Sequence, residues 1–102
     1  MDLYEAAPDE AARGGVVVIQ EAFGVNDHIR DVTRRFAARG YLAVAPALFH
    51  RTGSPQLGYE GAMDKVLEHM SALRDDAVLV DVDAALDHLR ASGLTDDRIG
   101  IV

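Results

Sequence analysis

The chain of 102 residues is 49% hydrophobic and 26% charged, a balance that fits one globular domain with its own core and excludes an intrinsically disordered chain. Its formal net charge of -7, with 10 Lys and Arg scattered along the chain, leaves no basic field for a nucleic-acid backbone. No apolar run approaches the roughly 20 residues of a membrane span, the N-terminus has neither the basic start nor the apolar core of a signal peptide, and the lack of cysteine removes disulfides, thiolate metal sites and a Cys nucleophile from these residues. The expectation is a cytoplasmic protein acting on a small molecule, with no nucleic-acid partner and no membrane partner.

The first element is the run VVVI at residues 16–19. Four β-branched residues in succession predict a strand buried on both faces, as in a parallel sheet covered by helices. It ends abruptly in Gln20 and Glu21, and a carboxylate at the end of such a strand must find a partner, shift its pKa or serve chemistry.

Residues 27–39 carry Ile29, Val32, Phe36 and Ala37 at helical spacing, with Asn26 or Asp27 as N-cap and Gly40 where a left-handed residue would end the helix. The apolar run YLAVAP, residues 41–46, predicts a second strand stopped by proline. Strand, helix and strand make a βαβ unit, which puts the C-terminal ends of both strands, and hence Gln20, Glu21 and the loop after Pro46, on one rim.

A loop is predicted over residues 47–59, where Gly, Ser and Pro concentrate, and its length suggests a functional role. Met63, Val66, Leu67, Met70 and Leu73 then mark a short amphipathic helix whose methionines read as core filler. The segment AVLVDVD admits two readings. As a strand it would present Asp81 or Asp83 like the phosphoacceptor of a receiver domain; as a helix over residues 75–92 it aligns Val78, Val82, Ala85 and Leu89 in one stripe and stops at Gly93, which favours the helix. Residues 99–102, IGIV, predict a last buried strand. A bare parallel strand is avoided in natural domains, so further residues of a longer protein or another chain are expected to cover it.

Three stretches, VVVIQEAFGVNDHIRDVTRRFAARGY, GYLAVAPALFHR and DDRIGIV, keep an order and spacing that resembles the dienelactone hydrolase family of the α/β-hydrolase fold. The resemblance implies the N-terminal portion of a three-layer α/β sandwich with a parallel sheet, a single incomplete domain over residues 1–102 that ends just before the nucleophile elbow. It implies an enzyme that hydrolyses an ester or lactone, with or without a carboxylate on the substrate, by acyl transfer to a Cys or Ser nucleophile; the triad then lies past Val102, and no cofactor and no metal is implied. His28, His50, His69 and His88 read as surface or capping residues, because the family's triad His follows its nucleophile.

Glu21 matches the family's glutamate beside the nucleophile, which implies a buried carboxylate with a raised pKa acting as a proton switch. Ala22 occupies the position whose backbone N–H contributes to the oxyanion hole. Phe23 shapes the same turn on the substrate side, with Gly24 supplying a backbone conformation that other residues resist. Arg51 matches a family arginine that binds a substrate carboxylate, a task suited to its planar donors. The family commonly has PDL where this chain has Pro46, Ala47 and Leu48. The alternative is a noncatalytic truncated module that self-associates or binds a small carboxylate at the rim of Glu21 and Arg51.

Overall fold

The computed structural model describes residues 1–53 and 63–102. At its centre is strand β2 (Gly14–Val17), buried at every position. It pairs in parallel with β3 (Tyr41–Pro46) on one side and β4 (Ile99–Ile101) on the other. Strand β1 (Leu3–Ala6) adds to the far side of β3, so the order is β1-β3-β2-β4.

The sheet is therefore mixed rather than wholly parallel. β1 runs antiparallel to β3 with Leu3 opposite Pro46 and Ala6 opposite Ala43, and neither its existence nor its direction was read from the sequence. LYEA is too short to show a period, and its pairing partner lies some forty residues away. Strand β2 also starts earlier than the run of valines, because Gly14 and Gly15 enter the ladder opposite Tyr41 and Leu42. A Cβ on Gly14 would stand 2.7 Å from the Arg98 carbonyl oxygen, and one on Gly15 2.8 Å from Leu94 Cδ1. Glycine is what lets the neighbours close in there. Beyond Val17 the pairing continues, with the Val18 N–H donating to the Val44 carbonyl at 2.8 Å and the Ile19 N–H to the Val102 carbonyl at 2.8 Å.

Helices cover both faces of the sheet at β2 and β3. Helix α1 (Asp27–Ala38) starts at Asn26, whose Oδ1 accepts from the Ile29 N–H at 3.1 Å, and it is followed by Gly40 at φ +96°. Its Ile29 packs with Val16, Val18 and Ala45 on one face. On the other face, helix α3 (Asp75–Ala91) sets Ala85 and Leu89 against Val17, Leu42 and Val44. Alternation along each strand sends successive side chains to these two cores, and each of Val17, Val44 and Leu89, fully buried, contributes about 1.5–3 kcal/mol relative to exposure. The helical reading of AVLVDVD holds, so Asp81 and Asp83 do not end a strand.

Helix α2 (Met63–Ser71) departs from its expected packing. Val66 is buried, but Met63, Leu67 and Met70 are exposed, so the methionines do not fill the core. Leu79 and Val80 of α3 are exposed as well. Of the loop read over residues 47–59, the first part forms a turn of 3-10 helix at His50–Thr52 closed by Gly53 at φ +95°; the rest lies outside the described residues. β4 forms one edge of the sheet, with Ile101 and Val102 exposed. Among the described residues, no helix is long and apolar enough to cross a membrane.

Candidate active-site rim

The C-terminal ends of β2 and β3 meet at one rim, and Gln20 is the residue that joins them. Its side chain is buried. Its Oε1 accepts the Leu48 N–H at 2.9 Å, and its Nε2 donates to the Glu21 carbonyl at 3.2 Å. A buried amide with donor and acceptor both engaged avoids the cost of unpaired polar atoms. It also ties the QEAFG turn to the loop that carries Arg51.

Glu21 lies on this rim but is not buried: its side chain is 58% exposed, and its closest ionic partner is His28, at 3.9 Å. The desolvated environment inferred for it is absent among the described residues, because the buried end of the strand is taken by neutral Gln20 and the chain turns outward at the next position. The turn is closed by the Gly24 N–H donating to the Glu21 carbonyl at 3.3 Å, with Gly24 at φ +84°. That positive φ is the conformation expected of this glycine. Ala22 and Phe23 sit half-buried within the turn.

Arg51 stands on the short helical turn after β3, and its side chain is 47% exposed. Its guanidinium binds Asp81 of α3 through two hydrogen bonds, Nη1 to Oδ2 at 2.8 Å and Nη2 to Oδ1 at 3.1 Å. His50 Nε2 lies 3.1 Å from each oxygen of the same carboxylate. Burial by itself would raise the Asp81 carboxyl, but the hydrogen bonds and charges of Arg51 and His50 outweigh it and hold the group below the usual carboxylate range, while Asp81 holds the Arg51 guanidinium above its usual value. The turn is also fastened to α2, where His69 Nδ1 lies 2.7 Å from Thr52 Oγ1 and the His69 and Phe49 rings stand 5.4 Å apart. Beside Arg51 is a cavity of about 40 Å³ bounded by Leu48, Leu73, Arg74 and Ala77.

Glu21 and Arg51 thus occupy the loops that Gln20 joins, each engaged with its own partner. His50 is a partner of a buried acid rather than a surface or capping residue. Sequence reasoning placed Gln20 on the rim without a role and weighed Asp81 only as a strand-end phosphoacceptor, so the bridge made by the one and the ion pair made by the other were missed. For Asp81 a signal was available: it lies four residues before Ala85 and eight before Leu89, so helical spacing puts its carboxylate on the buried stripe, where an acid requires a cation.

The model of the dienelactone hydrolase family matches residues 1–102. A protein of Methylorubrum extorquens named as a carboxymethylenebutenolidase is 40% identical over 103 residues, covering 96% of this chain and 34% of the relative. One of Salmonella typhi with the same name is 51% identical over 57 residues, covering 54% of this chain and 21% of the relative. A crystal structure described as a dienelactone hydrolase from Klebsiella pneumoniae subsp. pneumoniae superposes with a TM-score of 0.83 at 35% identity, covering 97% of this chain and 42% of that one. The chain therefore spans about a third of the length of the first of these relatives.

Proposed function

Because the chain belongs to the dienelactone hydrolase family, whose model matches it from end to end, we propose that it forms part of an enzyme that hydrolyses an ester or lactone by acyl transfer to a nucleophile and then to water. The nucleophile, the Asp and the His of the triad are supplied by residues outside these 102. The name shared by the relatives points to a butenolide carrying a carboxylate as the substrate class.

The observation that carries this reading is the rim itself, where Gln20 holds the turn of Glu21 and Ala22 against the loop of Arg51. An acyl-transfer site needs a group to manage a proton, a donor for the developing oxyanion and an anchor for the substrate. Glu21, the Ala22 N–H and Arg51 fill these roles in that order, with Phe23 bordering the substrate. No hydrogen bond engages the Ala22 N–H among the described residues, which leaves that donor available. Glu21 reaches its working environment when the rest of the protein closes over the rim and desolvates it.

The test uses protein expressed from the whole coding sequence, assayed with a carboxymethylene butenolide and with p-nitrophenyl acetate. Turnover of both is expected, with Glu21→Gln lowering kcat by roughly 10²-fold or more and Arg51→Ala raising KM for the carboxylated lactone alone. A folded protein that binds small carboxylates without hydrolysing either ester would instead establish the noncatalytic module.

A further inference from the structure

The least explained group in the molecule is the Asp81 carboxylate. Its side chain is 4% exposed, it sits on the apolar stripe of α3 with Ala85 and Leu89, and among the described residues its hydrogen bonds run to His50 and Arg51, about thirty residues earlier. Burying an ion pair is seldom the stablest solution for a helix–loop contact, since well-packed apolar side chains of similar volume often do as well or better. The pair therefore calls for a role besides stability.

We propose that Asp81 is the positioning residue for Arg51, setting the plane of its guanidinium so that the edge left free meets a substrate carboxylate. This rests on the reading of Arg51 as the substrate anchor. A guanidinium has five N–H donors in a rigid fork. Asp81 takes one from each terminal nitrogen, and among the described residues the edge formed by Nε–H and one outer Nη–H is left for a second acceptor. An unpaired arginine on an exposed turn samples many rotamers and gives up that freedom on binding; one already clamped to a buried acid has less to lose. The pair bears no net charge, so it recognises an anion through aimed donors more than through field strength. The small cavity bounded by Arg51 and Arg74 has room for a group of carboxylate size. His50 holds the same carboxylate, with Nε2 3.1 Å from each oxygen, and Thr52 ties the turn to His69 of α2.

In protein from the whole coding sequence, Asp81→Asn is expected to raise KM for the carboxylated lactone roughly tenfold, with kcat for that substrate and both constants for p-nitrophenyl acetate unchanged. The double variant Asp81→Asn with Arg51→Ala should be no worse than Arg51→Ala alone, because the two residues act as one unit. Equal losses on both substrates, or additive losses in the double variant, overturn the proposal. If Arg51→Ala impairs the carboxylated substrate selectively while Asp81→Asn does not, the anchor reading stands and the positioning role fails. If Arg51→Ala has no selective effect, both fail. Should Asp81→Asn not fold, Arg51→Lys keeps an ion pair but loses the fork, and the same selective rise in KM is expected; an unchanged KM for the carboxylated substrate then overturns the proposal.

Discussion

Gln20 and Glu21 are neighbours of similar size, and the fold treats them in opposite ways. The amide is inside and fully bonded, and the carboxylate is outside. The energetics favour this assignment, since an amide can be satisfied by one backbone donor and one backbone acceptor, whereas an ionised carboxylate in the same place needs a cation. Gln20→Leu keeps the volume but strands the buried Leu48 N–H. It should cost about 1–3 kcal/mol, read as a lower urea midpoint with an unchanged slope. A drop in the slope would mean that the loop after β3 had detached in the native state.

Among the elements, α1 and α3 were legible because each lays one apolar stripe on a sheet face, so their 3.6-residue period reports a real interface. The same kind of stripe misled for α2. Periodicity shows which side chains share a face and is silent on whether anything covers that face, and here Met63, Leu67 and Met70 remain exposed. The limits of β2 were hidden for a related reason. Gly14 and Gly15 look like a turn before the valines, yet they enter the ladder at positions where an added Cβ would stand under 3 Å from a neighbour. Gly14→Ala should destabilise by about 1–3 kcal/mol, since the colliding atom is a backbone oxygen with little room to yield. Gly100→Ala, with nothing within 4 Å of the added Cβ, should shift the melting temperature by no more than about 2–4 °C, the effect of an ordinary surface substitution. Equal effects of the two substitutions would contradict this account of the strand.

For the whole molecule, the Asp81 cluster links the rim to the core face of α3, and this connection should appear in the acid stability. Asp81 has a folded-state pKa below its ordinary value of 3.8. Its contribution is therefore fully present above that ordinary value and is lost as pH falls through the lower folded one. Urea midpoints measured from neutral pH downward should run parallel for wild type and Asp81→Asn until about pH 4, then converge as the wild type loses its advantage. Curves that stay parallel to the lowest pH would show that the pair adds no pH-dependent stability.

The sequence by itself determined the helices α1 and α3, the three parallel strands, the family and the shared rim of Glu21 and the loop after Pro46. All of these follow from periodicity within a segment or from a motif read in order. Only the tertiary structure decided that β1 closes the sheet antiparallel to β3, that Gln20 lies buried while Glu21 faces outward, and that Arg51 answers to an aspartate on α3. The reason is physical: each depends on which distant surfaces meet, and a buried charge or an edge strand finds its partner only after the intervening chain has folded between them.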